Sequence, residues 1–302
     1  MIEGQEGVSW PEWVALARAC EEHAIPALFR SDHQLTLGDD PERGSLDAWA
    51  TLSALAAITS TLRLGTLVSP VTFRHPSELA KVVTAADHVS GGRIEVGIGA
   101  GWNEREHRAY GYPFPPLRER MEMLAEQLEI VHGHWADELF DFRGRHYALE
   151  ALDARPKPVQ RPHPPVLMGG AAGPQAARLA ARWADEYNTT FATVEEVRDR
   201  KAKIEAACAQ AGRDPIPFSL MTGFVAGRSR SDLDRRRRRL AERTGTDPVD
   251  EPGWIVGTVD EVTEQLGAFR DAGVHRVMLQ NLLHDDLEVV EIIGRDLAPR
   301  LR

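Results

Sequence analysis

Short apolar runs alternate with longer amphipathic segments along the chain. A short apolar run bounded by Gly, Pro or polar residues is typical of a buried strand, whereas apolar residues spaced three and four apart are typical of a helix. The predicted strands are Met1–Glu3, Ala27–Arg30, Arg63–Val68, Arg93–Ile98, Pro165–Met168, Asp185–Thr189, Ile216–Thr222 and Arg276–Gln280. The predicted helices are Pro11–His23, Leu46–Ser60, Pro76–Val89, Pro116–Trp135, Pro174–Trp183, Val194–Ala211, Asp260–Ala272 and Leu287–Leu297.

The segment 63–98 shows the alternation most clearly. Pro76 suits the first turn of a helix, and Gly91 and Gly92 stop that helix before the next strand. In parallel α/β sheets, ligands bind at the C-terminal ends of the strands. The residues that we therefore expect to face a pocket are Ser69, Ala100, Gly101, Trp102 and Asn103.

This order of elements predicts an α/β fold, because eight strands that each precede a helix match a (β/α)8 TIM barrel. We predict one domain over residues 1–302. The segment at about 102–164 is too long for a simple connection, so we interpret it as an insertion after strand four that covers the active-site face. A doubly wound sheet is the alternative.

Composition limits the partners. The chain carries 36 Lys and Arg against 46 Asp and Glu, and its net charge of −10 argues against binding to nucleic acid or to an anionic membrane. The start has no signal-peptide pattern, and no run of about 18 apolar residues occurs. Cys20 and Cys208 lie far apart without a CxxC partner. We expect a cytoplasmic protein that acts on a small-molecule substrate.

A local exception is the run of five arginines at Arg235–Arg239. On a helix these side chains point all round the axis. A solvated helix, with Asp232 and Asp234 near its N-terminus offsetting the charge, is one interpretation. A binding site for the anionic tail of a cofactor is the other.

The candidate catalytic residues, Asp32 and His33, close the second predicted strand. Histidine has an ordinary pKa of ~6.5, so it can act as an acid or a base near neutral pH, and an adjacent carboxylate can position it. The alternative is a histidine at the barrel rim that only bonds a backbone carbonyl.

Two glycine-rich strand ends are candidates for cofactor binding. GIGAG at 97–101 is not followed by the acidic residue that a dinucleotide-binding unit requires, so it fits better a strand end that a cofactor approaches closely. Gly169, Gly170 and Ala171 precede a predicted helix, where free N–H groups can bind a phosphate. A tight turn between strand and helix is the alternative.

Other candidates rest on position. Asn188 and Gln280 end predicted strands and could touch a cofactor or substrate. The aromatic residues that either shape a pocket or pack in the core are Trp102, Tyr110, Phe191 and Trp254. No His, Cys or acidic cluster has the spacing of a metal site, so we predict none.

Ser31-Asp32-His33, the run 63–104 and Leu167-Met168-Gly169-Gly170 together resemble the luciferase-like monooxygenase superfamily, and most closely its branch of coenzyme F420-dependent oxidoreductases. The strongest segments are 28–37, 63–112, 165–190 and 253–285. The resemblance implies a TIM barrel that transfers a hydride between the deazaflavin and a small organic substrate. A flavin mononucleotide (FMN)-dependent monooxygenase and a non-catalytic flavin-binding barrel are the alternatives.

The resemblance also implies residue roles. It places His33 beside the deazaflavin ring with Asp32 close by, and it implies a cis peptide bond at Leu67–Val68 that supports the ring. Met168 joins the glycines after it in the expected cofactor-binding set. Members typically carry several residues before the equivalent of Met1, so we expect the printed start to lie inside the first strand. We also expect a homodimer.

Overall fold

A parallel sheet forms the centre of the computed structural model, which describes residues 1–38, 40 and 42–301. The strands are β1 (Ala27–Arg30), β2 (Arg63–Thr66), β3 (Ser69–Pro70), β4 (Ile94–Gly99), β5 (Phe140–Arg143), β6 (Ala148–Leu152), β7 (Val166–Gly169), β8 (Glu186–Thr190), β9 (Phe218–Gly227), β10 (Ile255–Thr258) and β11 (Arg276–Gln280). In the sheet they pair in the order β1, β2, β4, β7, β8 and β9, while β11 pairs with the first half of β9 and β10 with its second half. A separate antiparallel hairpin is formed by β5 and β6.

Helices surround this sheet and follow its strands. Sequence signals fix several helix ends: Pro76 occupies the first turn of α3, and Gly91 ends it in the left-handed conformation with φ 66°. The helices are α1 (Trp10–Glu22), α2 (Ala48–Ile58), α3 (Pro76–Ser90), α4 (Glu104–Tyr110), α5 (Leu117–Trp135), α6 (Pro174–Trp183), α7 (Val194–Gln210), α8 (Arg230–Thr244), α9 (Val259–Asp271), α10 (Leu287–Glu291) and α11 (Ala298–Leu301), with a 3₁₀ turn at Pro248–Asp250 and a π-helical turn at Ile292–Leu297.

The N-terminal residues join the two ends of the sheet. On one side, Met1 donates to the carbonyl of Leu279 at 2.9 Å and accepts from Asn281 at 3.0 Å. On the other side, Ile2 donates to Phe29 at 2.9 Å and bridges Arg30 in parallel. The predicted first strand therefore lies between the last strand and β1, as the TIM-barrel prediction requires.

Charged side chains fill the barrel at the N-terminal ends of its strands. Arg276 of β11 donates to Glu95 of β4 at 2.8 Å and to Glu186 of β8 at 2.6 Å, and Arg63 of β2 donates to Glu95 at 2.5 Å. Burial acts to raise the pKa of Glu95, but hydrogen bonds from Arg276 and Arg63 outweigh it and lower that pKa. This network closes the bottom of the barrel, so the opposite end is left for a ligand.

The structure corrects the bounds of several predicted elements. β2 ends at Thr66 instead of Val68, because the chain bulges before β3 resumes the sheet beside β4. β9 continues to Gly227, since its second half pairs with β10, a strand that we did not predict. The insertion contains the unpredicted helix α4 and hairpin β5–β6, and the C-terminal helix is divided by its π-helical turn.

The arginine run lies on α8 and is largely neutralised within the chain. Arg236 is fully buried and donates to Asp286 at 2.9 Å and to Glu288 at 2.6 Å, with a further ion pair to Asp232. Arg237 donates to Asp247 at 2.8 Å. These pairs favour the structural interpretation of the run over a site for a cofactor tail.

No helix in the described part of the chain combines the length and apolar content that crossing a membrane requires.

The C-terminal helical segment packs closely against the end of α1. A Cβ atom at Gly294 would overlap the carbonyl oxygen of His23 and approach its Cβ to 2.8 Å. Neighbouring Arg295 donates to the His23 ring at 3.2 Å. This contact involves backbone, so it has little room to relax.

We expect Gly294→Ala to lower the free energy of unfolding by about 1–3 kcal/mol, the usual cost of overpacking. Gly267→Ala on α9 is the matched control, because a Cβ there meets no atom within 4 Å. The control should raise stability by up to about 1 kcal/mol, the helix-propensity difference between the two residues. Urea unfolding of the three proteins measures both effects. Equal stability of G294A and the unaltered protein would contradict this packing.

Candidate functional site

A cavity of about 910 Å³ opens at the C-terminal ends of the barrel strands. This volume lies in the range of cofactor and substrate sites. The predicted site residues that line it are His33, Leu67, Val68, Gly101, Gly169, Gly170 and Asn188. The predicted site residues absent from its wall are Asp32, Ser69, Ala100, Asn103, Met168 and Ala171.

His33 lies in the cavity wall and is held by a carboxylate from the insertion. Its Nδ1 donates to Oε2 of Glu106 at 2.7 Å. Glu106, which is 0% exposed, also accepts from the backbone N–H of Gln34 and, at 3.0 Å, of Leu35. The carboxylate therefore fixes both the histidine ring and the turn that carries it.

The charge of Glu106 controls the protonation of His33. Burial acts to lower the pKa of His33, but the hydrogen bond to Glu106 and the charge of its carboxylate outweigh burial, so the pKa is raised. For Glu106, burial acts to raise the pKa, while the same hydrogen bond and charge lower it. His33 consequently retains a proton closer to neutral pH than an ordinary histidine does.

The hydrogen bonds of Asp32 are made to residues other than His33, whose pKa the charge of Asp32 helps to raise. Its Oδ2 accepts from the Ser69 hydroxyl at 2.6 Å and from Arg74 at 2.5 Å, and Arg74 also binds Asp47 at 2.7 Å. Asp32 is 1% exposed and does not line the cavity. Asp32 and Ser69 support the wall from behind.

The implied cis peptide bond at Leu67–Val68 is confirmed. Both residues line the cavity, and Val68 packs against β4 at two glycines. A Cβ at Gly99 would lie 2.6 Å from Val68 Cγ2, and one at Gly97 would lie 2.8 Å from Val68 Cγ1. Glycine is therefore required at positions 97 and 99 partly because the Val68 side chain occupies the space that a Cβ atom would need.

The turn after β7 supplies the proposed phosphate-binding residues. Gly169 and Gly170 line the cavity, but the Gly170 N–H donates to the Asn188 carbonyl at 3.0 Å and is already used. The hydroxyl of buried Tyr187 accepts from Ala172 at 3.0 Å and fixes the turn. Helix α6 follows at Pro174 without a side-chain cap. The N-terminal end of α6, more than the Gly170 amide, is the part of this turn suited to an anion.

The remaining predicted residues divide between wall and support. Asn188 is anchored by its Nδ2, which donates to Ser219 at 2.8 Å. Asn103 instead caps α4, where its side chain accepts from the Glu106 N–H at 3.4 Å. It thus positions the helix that carries Glu106. Met168 is 1% exposed in the core, and Ala171 is exposed outside the cavity.

Two of the four candidate aromatic side chains form part of the cavity wall. Trp102 and Phe191 line the cavity, and Trp102 meets the His33 ring edge-on with centroids 5.6 Å apart. Trp254 lines a smaller adjoining cavity of about 420 Å³ that also includes Phe191. Tyr110 instead donates its hydroxyl to the Gln34 carbonyl at 3.1 Å.

Several polar wall residues were not identified from the sequence. Those that line the cavity are Glu3, Glu6, Arg43 and Arg243. Glu106 was also not identified, and it lies behind His33. For Glu106 a signal exists, because Asn103 followed three residues later by a glutamate is a helix-start pattern. The others lie on turns after strands or at a helix end, and no local pattern marks them.

A family model for luciferase-like monooxygenases matches residues 2–246 of this chain. The chain belongs to this family. The match spans the strands from β1 to β9 and includes His33, Leu67–Val68, Glu106 and Gly169.

Curated relatives include both cofactor types. An F420-dependent hydroxymycolic acid dehydrogenase of Mycobacterium tuberculosis is 31% identical over 96% of this chain and 84% of its own. An FMNH2-dependent dimethylsulfone monooxygenase of Pseudomonas putida is 28% identical over 82% of this chain and 77% of its own. An uncharacterised protein of Mycobacterium tuberculosis is 35% identical over 67% of this chain and 76% of its own.

A solved structure of an F420-dependent secondary alcohol dehydrogenase shares the fold. It superposes with a TM-score of 0.85 at 20% identity and covers 100% of this chain and 98% of its own. Together with the family match, this confirms the predicted α/β barrel class. The two cofactor-named relatives are a dehydrogenase and a monooxygenase, which confirms the coarser prediction of a luciferase-like oxidoreductase.

We expect Glu106→Gln to move the pKa of His33 from above its ordinary value to below it. The amide keeps an acceptor oxygen but loses the charge, so burial dominates. Titration of the histidine ring protons by NMR measures the shift, with the His33 signal assigned from its loss in His33→Gln. Glu104→Gln, an exposed change on the same helix, is the control and should leave the pKa unaltered. An unaltered His33 pKa in E106Q would contradict the assignment.

Proposed function

We propose that this protein is a coenzyme F420-dependent oxidoreductase, which transfers a hydride between the deazaflavin and a small organic substrate. One observation carries the proposal: a histidine whose Nδ1 is held by a buried carboxylate, which raises the histidine pKa, stands in a cofactor-sized cavity beside Leu67–Val68. Hydride transfer to a carbonyl or imine requires a proton at the neighbouring atom, and such a histidine is suited to supply it.

The wall residues fit a tricyclic ring with a phosphate tail. Leu67 and Val68 offer an apolar surface, while Gly101, Gly169 and Gly170 leave room for close approach. The uncapped start of α6 would hold the phosphate beside the Gly169–Gly170 turn. Bound F420 would supply the ring carbon that accepts or donates the hydride.

Within this arrangement His33 has a defined proton path. Glu106 holds Nδ1, so Nε2 is the ring atom left to exchange a proton with a substrate. The raised pKa of His33 keeps that proton available near neutral pH. Trp102 packs edge-on against the ring, with centroids 5.6 Å apart.

The relatives support F420 and also name the principal rival. The F420-dependent relative is the more similar of the two cofactor-named proteins and aligns over more of the chain, at 31% and 96% against 28% and 82%. FMN shares the tricyclic ring and the phosphate, so a reduced-FMN monooxygenase remains the second candidate. The two functions differ in whether oxygen is consumed.

Titration of the purified apoprotein with F420 and with FMN tests the cofactor. We expect micromolar binding of F420 and negligible binding of FMN, followed by cofactor fluorescence changes on turnover in a screen of alcohols, imines, enoates and sugar phosphates. A protein that binds FMN and consumes oxygen would establish the monooxygenase instead. Tight binding of either cofactor without turnover across the screen would favour a non-catalytic binding role.

His33→Ala should lower kcat by ~10²-fold or more on any substrate from that screen, because general acid–base catalysis contributes on this scale. Cofactor affinity should change little, since the ring and phosphate are bound by other residues. Stopped-flow measurement of cofactor oxidation separates turnover from binding. Full activity of H33A would return His33 to a structural role.

A further inference from the structure

Two guanidinium groups line the cavity and have no role in the chemistry above. Arg43 lies on the loop after β1, and Arg243 lies near the end of α8. The two side chains are coupled, since Arg43 Nη2 donates to the Arg243 carbonyl at 3.3 Å. They come from segments 200 residues apart, so the fold itself brings them to one part of the wall.

The charge of Arg43 is offset by carboxylates. Its Nη1 binds Glu6 at 3.1 Å, and its Nε binds exposed Asp40 at 3.2 Å. The other acidic wall residue, Glu3, accepts from the side-chain amides of Gln5 at 2.8 Å and Gln280 at 2.6 Å. Glu6 and Asp40 are thus paired with Arg43, while Glu3 is held by neutral amides.

Arg243 differs, because no carboxylate among the described residues forms an ion pair with it. Its Nη2 donates to the Glu6 carbonyl at 2.7 Å and to Nδ1 of His284 at 3.3 Å, both neutral acceptors. His284 is fixed in turn, since its Nε2 lies 3.3 Å from Glu12. Burial, and then the charge of Arg43, lower the pKa of Arg243. An anion here would offset a positive charge that the chain leaves unpaired.

This position is remote from the turn that suits the cofactor phosphate. Gly169 ends the fifth barrel strand, whereas Glu6, which both arginines contact, follows the first. In a barrel of eight strands, the first and fifth are opposite each other. A cofactor whose phosphate lies beside Gly169 therefore leaves the arginine side for a second ligand.

We infer that Arg243, supported by Arg43, binds the carboxylate or phosphate of an anionic substrate. Guanidinium groups bind both anions through paired N–H donors. The inference rests on the proposed function, because it assigns the second ligand of the same cavity. It defines the substrate class as a small organic molecule that carries an acidic group beyond the reacting carbon.

The test measures binding of inorganic phosphate to protein already loaded with F420, so that the cofactor occupies its own phosphate site. We expect Arg243→Gln to weaken phosphate binding at least fivefold by calorimetry, while Arg243→Lys, which keeps the charge, weakens it less. Arg238→Gln is the matched control, because Arg238 is exposed on the same helix outside the cavity wall. Melting curves check that the variants fold.

A second arm separates the substrate from the cofactor tail. The affinities for F420 and for F420 without its glutamates should each change less than twofold in R243Q. A fivefold loss for the complete cofactor alone would assign Arg243 to the tail and overturn the inference, as would equal phosphate binding by R243Q and the unaltered protein. If the apoprotein binds FMN instead of F420, the proposed function fails, and the phosphate measurement on FMN-loaded protein still tests the anion site.

Discussion

The backbone hydrogen bonds of Met1 and Ile2 are the constraint on which the site depends. They join Leu279 and Asn281 at one end of the sheet to Phe29 at the other, and they bring the turns after the first, second and eighth strands to one rim. This closure adds a second connection between the two sides of the cavity, beside the one that runs through the paired strands. The ion pairs of Arg276, Glu95 and Glu186 fill the other end, and the 910 Å³ cavity opens at the C-terminal end.

Two carboxylates near His33 have different tasks because backbone geometry separates them. Asp32 is adjacent in sequence but points behind the wall, where Ser69 and Arg74 bind it. Glu106 is remote in sequence, yet helix α4 places it against the ring. A buried carboxylate that accepts several N–H donors stays ionised. The insertion therefore supplies the carboxylate that raises the pKa of the histidine.

The sequence allowed prediction of the barrel strands because each pairs an apolar run with a Pro, Gly or polar boundary. The second half of β9 was missed because it contains glycine and lies beyond the predicted end of that strand, and β10 was missed because its four residues, IVGT, also contain glycine. His33 and Gly169 were singled out because they lie at strand ends, and both line the cavity; their roles stay predictions. Arg43 and Arg243 could not be predicted, since only tertiary contacts bring their distant segments together.

The three functional sides of the cavity follow from the order of strands around the barrel. The histidine follows the second strand, the glycine turn follows the fifth, and the arginines gather around the turn after the first. Under the proposed function, Leu67, Val68 and the glycine turn would hold the cofactor, and His33 would exchange the proton. A substrate bound by the arginines would then lie between the proton donor and the positive charge. Two fixed contacts orient such a molecule, which is the condition for a productive hydride transfer.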